Sequence, residues 1–139
     1  MSDGHIDPTR DAFAAMKGLP LDQPVEMLNL VALRERATYE DKREVSGKEA
    51  YAEYGRSSGP IFAKVGGTII WRGRPELILI GPDTERWDVA FIARYPTAQA
   101  FIDMVRDEKY RAIVFHRQAA VETSRLIRMA PLDGSGKFG

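Results

Sequence analysis

Along the stretch from Trp87 to Thr97 the chain is apolar in both registers of an extended strand. Trp87, Val89, Phe91, Ala93 and Tyr95 share one face, while Ala90 and Ile92 lie between Asp88 and Arg94 on the other. A strand of this kind needs cover on both sides. The pattern therefore predicts a central place in a sheet, with helices over one face and a second layer over the other. Val25 to Leu33 has the same character, with Val25, Met27, Asn29, Val31 and Leu33 alternating against Glu26, Leu28, Leu30 and Ala32. Asn29 interrupts an apolar face, where an unpartnered amide costs roughly 1–3 kcal/mol. Either the backbone satisfies it or a ligand does.

Helical spacing fills the intervals. Asp7-Pro8 reads as a cap with proline at the first helical position, followed by Ala12, Phe13 and Met16 until Gly18 and Pro20. A helix of about ten residues is marginal alone in water, so this one has to dock on its own sheet or on a partner. Arg34 to Lys48 reads as a charged, solvated connection ending in the capping box Ser46-Gly47-Lys48-Glu49. The helix that follows carries Tyr51 and Tyr54, and Gly55 and Ser57-Ser58-Gly59-Pro60 predict a break, with Pro60 opening a second short turn up to Gly66-Gly67. Thr68 to Trp71 is strand-like, Arg72-Gly73-Arg74-Pro75 is a turn or an edge irregularity, and Leu77 to Ile80 is strand-like again. After Pro96-Thr97 comes a helix with Ala98, Phe101, Ile102 and Val105 on one face. Asp107 caps another in which Tyr110, Ile113, Val114, Arg117 and Val121 share a face. Leu126 to Met129 forms the last strand. The chain divides into a helical extension (1–24), one domain (25–131) and a flexible glycine-rich tail (132–139).

Composition narrows the function classes. At 139 residues there is room for one core, and 20 basic side chains against 20 acidic ones leave no global electrostatic case for nucleic acid or a membrane surface. With no cysteine and only His5 and His116, thiolate chemistry is excluded and a metal site would rest on carboxylates; no cofactor is expected. The N-terminus lacks a basic segment followed by an apolar run, and no stretch approaches membrane-spanning length, so a cytoplasmic protein is expected.

Arg117 stands out as candidate chemistry, because a guanidinium on a sheet-facing stripe cannot be deprotonated and must find an anion or a carbonyl. Its partner is either a ligand carboxylate or enolate, or an internal carboxylate from Asp88, Glu76 or Asp107. His116 sits about 100° around the helix from it, at the rim of the stripe, where a neutral imidazole is a candidate base. Gly134-Ser135-Gly136-Lys137 contains a fragment of a phosphate loop but lacks the flanking strand and helix, and there is no Gly-x-Ser-x-Gly elbow.

The order β-α-β-β-α-β is the ferredoxin-like arrangement, in which the first and third strands are central. Beyond topology, Tyr51, Tyr54, Pro60, Val65-Gly66-Gly67-Thr68, Gly81, Tyr95-Pro96-Thr97, Phe101, Asp107-Glu108-Lys109-Tyr110 and Arg117 together resemble the domain-of-unknown-function 1330 family of the dimeric α/β-barrel superfamily. The resemblance covers roughly residues 25 to 130. The helix before Val25 is extra, and Ile80 stands where a glutamate is often found before the glycine equivalent to Gly81.

The resemblance implies an α+β fold: a four-stranded antiparallel sheet with helices on one face, paired with a second copy as a dimeric α/β barrel. Two sheets packed face to face would supply the second cover that the central strand demands. The resemblance also implies a cleft between sheet and helices, used by members of the superfamily for small-molecule oxidation, isomerisation, decarboxylation or haem chemistry. Placed in that cleft, Tyr110 and His116 are the catalytic candidates, and Arg117, Tyr54, Asn29 and Trp87 the ligand-binding ones. Each has a structural alternative: core packing for Tyr54 and Tyr110, packing or dimer contact for Trp71 and Trp87. The expected function is binding of a small anionic organic molecule by a homodimer, with cofactor-free monooxygenation or isomerisation as a candidate activity. The alternative is a non-catalytic structural or interaction dimer.

Overall fold

A computed structural model of the chain describes residues 4–133 and 136–138. The phosphate-loop fragment and the first three residues fall partly or wholly outside them. The element order is α1 (Arg10–Gly18), β1 (Val25–Leu33), α2 (Gly47–Lys64), β2 (Thr68–Gly73), β3 (Val89–Tyr95), α3 (Ala98–Arg106), α4 (Glu108–Ile113), α5 (Phe115–Ala120) and β4 (Val121–Met129). The sheet is antiparallel in the order β2-β3-β1-β4, so the two strands that are apolar on both faces occupy its centre. None of the described helices is long and apolar enough to cross a membrane.

Register decides which residues share a face. Directly paired residues point the same way, so Val25, Met27 and Val31 of β1 join Val89, Phe91, Ala93 and Tyr95 of β3 under the helices. One core cluster unites Val25, Met27, Ala93 and Tyr95 with Ile61 of α2, Phe101 and Ile102 of α3 and Tyr110 of α4. A second unites Val31 with Ala50, Ala119, Ala120 and Val121, and includes Ala37 and Tyr39. The 34–46 connection is therefore anchored rather than merely solvated: Ala37 and Tyr39 are buried, and the Ala37 amide donates to the Val45 carbonyl at 3.0 Å.

Several local expectations change. Thr9, not Asp7, caps α1, its Oγ1 accepting from the Ala12 amide at 3.0 Å, and Pro8 lies before the helix. The helix docks on its own protomer, with Phe13, Met16 and Leu21 against the first core cluster. α2 is one helix of 18 residues with Pro60 inside it rather than two pieces. Proline forfeits the bond to the Arg56 carbonyl, but burial of Ile61 beyond it keeps the helix going. The capping box at its start forms as expected, and Gly47 is required there because a Cβ would meet the Arg34 carbonyl oxygen at 2.0 Å. The helix ends at Lys64, and just beyond it the φ of +86° at Gly66 lets the Gly67 amide reach back to the Phe62 carbonyl at 2.9 Å.

The final helical face is split at Val114 into α4 and α5, and β4 begins at Val121, five residues before the expected start. Pairing with β1 over its whole length overrides the weak strand signal of Glu122 to Arg125. Leu77 to Ile80 forms no strand; it belongs to the connection between Gly73 and Val89.

The opposite face of the sheet carries no helix. Trp71 pairs with Ile92, Ile92 with Leu28, and Leu28 with Ile127, so a single apolar row crosses all four strands. Trp71 and Ile127 at its two ends are 51% and 47% exposed.

Candidate functional site

Under the helices, polar groups gather where α2 and α4 lie over the sheet. The Tyr54 and Tyr110 hydroxyls are 2.9 Å apart, hydrogen-bonded to each other, with their rings edge to face. Tyr51, one turn before Tyr54, packs its ring 5.6 Å from that of Tyr54. Burial pushes the Tyr51 phenol well above its usual value, and proximity to Tyr54 adds to this, while Arg117 and Arg72 pull it down. Burial also raises the Tyr110 phenol, reinforced by Tyr54 and opposed by Arg117. Three phenols and the field of two guanidiniums therefore share this region. Tyr51 and Arg72 were not among the sequence candidates. The signal for Tyr51 was its helical spacing to Tyr54; for Arg72 there was none, because its face depends on the irregular pairing of β2 with β3.

Arg117 is held by the protein itself. Its guanidinium donates to the Ile6 carbonyl and, at 3.1 Å, to Ser124 Oγ, while Ser124 donates from its hydroxyl and its amide to the His5 carbonyl at 2.7 and 2.8 Å. None of the three carboxylates considered from sequence reaches it. Asp88 accepts from Arg86 at 2.5 Å and from the Leu33 amide at 2.7 Å, Glu76 faces Arg74 at 3.6 Å, and Asp107 caps α4 by accepting from the Lys109 amide at 2.7 Å. Arg117 thus fastens the segment before α1 to the edge of β4.

His116 points to a separate cluster, its Nδ1 2.6 Å from the Tyr39 hydroxyl. Phe115 lies beside the imidazole with ring centroids 4.1 Å apart, and Arg43 stacks 4.1 Å from the centre of the Tyr39 ring. Burial raises the Tyr39 phenol, Arg43 lowers it, and Glu53 and Asp41 raise it. An open depression of about 480 Å³ along the same connection is lined by Ala37, Tyr39 and Arg43 among others. His116 and Tyr110 are therefore not partners in one constellation.

Asn29 lies on the helix-facing side of β1, and its amide nitrogen donates to the Met27 carbonyl at 3.1 Å. Trp87 lies outside β3 and does not continue its helix-facing row. The Arg125 guanidinium sits 5.2 Å from its ring, and Arg125 pairs with Leu30 on the uncovered face. The sequence placed Trp87 in register with Val89, but the strand begins two residues later and the chain turns before it. Of the six candidates, Tyr54 and Tyr110 are in direct contact and Arg117 acts on both Tyr51 and Tyr110 through its charge. Among the described residues, no three His, Asp or Glu side chains converge as a metal site would require.

Residues 41–130 match the family described as Domain of unknown function (DUF1330). Among solved structures, the chain is similar to RPA0582, a protein of unknown function from Rhodopseudomonas palustris. Identity is 56% over 94% of this chain and 99% of that one, with a TM-score of 0.90. The methylated form of RPA0582 gives 55% over 98% and 100%, with a TM-score of 0.92. A dimeric protein of unknown function with a ferredoxin-like fold from Bacteroides fragilis NCTC 9343 is 12% identical over 79% of this chain and 98% of that one, with a TM-score of 0.50. SnoaB, a cofactor-independent oxygenase from Streptomyces nogalater, is 13% identical over 83% and 99%, with a TM-score of 0.53. These two share the fold alone. Comparison with curated proteins gave no match. With its ferredoxin-like sheet and a family match over most of its length, the chain belongs to the DUF1330 family.

Proposed function

We propose that the protein works as a homodimer in which two sheets meet by their uncovered faces, forming a dimeric α/β barrel with the helices outside. The observation that carries this reading is the unbroken row Trp71–Ile92–Leu28–Ile127 across the sheet. An apolar row of this length needs a dry neighbour, and a symmetric partner presents the same row in return. The dimeric Bacteroides fragilis protein of the same fold is in keeping with it.

Within each protomer, the region of Tyr51, Tyr54 and Tyr110 is the place for a small anionic organic molecule. Three phenols, Tyr110 buried and Tyr51 and Tyr54 half-buried, provide hydroxyl donors to an anion, and Arg72 and Arg117 supply favourable potential. A carboxylate or enolate would displace the Tyr54–Tyr110 bond and accept from both hydroxyls. Cofactor-free oxygenation, as in SnoaB, or isomerisation of such an anion would then rely on a phenol to hold or return a proton. The second reading, a dimer without catalysis, is favoured by Arg117, which is already engaged with Ile6 and Ser124.

Native mass spectrometry of gently purified protein separates these outcomes. A species of twice the 15.6 kDa chain supports the dimer, and a ligand-sized mass excess supports the cleft. A monomeric mass across concentrations overturns the dimer. A bare dimer whose melting temperature is unmoved by a panel of small carboxylates leaves the non-catalytic reading standing.

A further inference from the structure

The connection from β2 to β3 is far longer than the fold needs. β2 and β3 are antiparallel neighbours, for which a turn of about two to five residues suffices, yet residues 74–88 intervene. Its second half is tied down: Arg86 bonds Asp88 and the Leu33 carbonyl, Glu85 faces Arg125, and Trp87 lies beneath Arg125. The first half has none of this. Among the described residues, no amide or carbonyl from 74 to 81 makes a backbone hydrogen bond. Leu77, Leu79 and Ile80 are 79%, 85% and 94% exposed.

Four consecutive aliphatic residues with an unpaired backbone have the composition of a sheet strand but no sheet. In its own protomer Leu77, Leu79 and Ile80 stay uncovered, and the arm leaves the sheet two residues after Trp71, one end of the uncovered row. An extended segment of eight residues reaches about 26 Å, while a four-stranded sheet is only about 14 Å across from first strand to last, so the arm can traverse a facing sheet completely.

We infer that residues 74–81 are an exchange arm, which lays Leu77, Leu79 and Ile80 on the second copy of this chain and receives the partner's arm in return. The occupant is a second copy because the chain itself presents an uncovered apolar sheet face, which the dimer proposed above brings opposite the edge strand that the arm leaves. The tip from Leu77 to Ile80 carries no charge that would select an acidic or basic partner. The inference rests on the dimer proposed above and adds to it a reciprocal contact that locks the pair.

The chain has no cysteine, so Leu79→Cys can be labelled at that position alone with a benzophenone maleimide. Labelled chain is mixed with unlabelled 15N chain, irradiated and mapped by mass spectrometry. The expected result is crosslinks from Cys-linked benzophenone to residues 26–32 or 123–129 of the 15N chain. Crosslinks confined to the labelled chain, in protein that still sediments as a dimer, overturn the arm and leave the dimer intact. A monomeric unmodified protein overturns both. As a second measurement, residues 75–80 are replaced by Asn-Gly. A folded protomer by circular dichroism with dimer dissociation at least about tenfold easier supports the arm, and an unchanged dissociation constant overturns it.

Discussion

Trp71→Ala tests the uncovered face where its contribution can be worked out. Trp71 ends the apolar row, pairs with Ile92 and keeps 51% of its surface exposed in the protomer. A tryptophan presents about 250 Å², so about 125 Å² is left for a partner to cover, worth about 3 kcal/mol at about 25 cal/mol per Å². An isologous interface uses the residue twice. Truncation should therefore cost up to about 6 kcal/mol of association, or roughly four orders of magnitude in the dimer dissociation constant. The fold itself should persist, because the side chain lies on the edge strand outside both core clusters. Sedimentation velocity over a dilution series reads the dissociation constant, and thermal unfolding of the dissociated variant checks the fold. A shift of less than about tenfold would refute the assignment of this face to the dimer.

Three further outcomes follow from the core and the cleft. Phe91→Asp places a carboxylate between the two core clusters, where Arg72, paired opposite it on β2, offsets only part of the desolvation, so it should unfold the protomer rather than merely separate the dimer; a native melting temperature would show that the face of β3 is misassigned. Arg117→Met removes charged hydrogen bonds to Ile6 and Ser124, and should cost about 1.5–3 kcal/mol in urea unfolding while speeding hydrogen exchange at the Ser124 amide. Unchanged or raised stability would instead mean that the guanidinium is kept for a ligand. Tyr51, Tyr95 and Tyr110 have phenol pKa values raised above 10.0 by burial, so the folded state holds protons that the unfolded chain releases. Stability should be full below pH 10.0 and fall as pH rises beyond it; urea midpoints that stay flat into the alkaline range would contradict that burial.

Much of the fold was legible because burial leaves a periodic trace. The double apolar pattern of Val25–Leu33 and Val89–Tyr95 located the central strands, and Ser46, Thr97 and Asp107 announced their helices through local hydrogen bonds. Pro60 misled, because the loss of one local bond was outweighed by packing of Ile61 that the local sequence does not record. The candidate site was less legible for the same reason. Tyr54 and Tyr110 are 56 residues apart, and only the docking of α4 against α2 brings their hydroxyls together. Arg117 looked like an anion receptor because its stripe faces the sheet. The carbonyl that it binds comes from the far end of the chain, where no spacing rule could point to it.

By itself the sequence determined that β1 and β3 are central and apolar on both faces, since alternation with a period of two fixes what each face of a strand carries. It also determined that the chain brings no thiol and two imidazoles to whatever site it forms. Tertiary structure decided which register faces the helices, how four separate apolar positions line up as Trp71–Ile92–Leu28–Ile127, and that Leu77 to Ile80 stands apart from the sheet. Those are properties of pairing between distant strands. Register is set by the joint burial of the whole sheet, so no single stretch of the chain contains it.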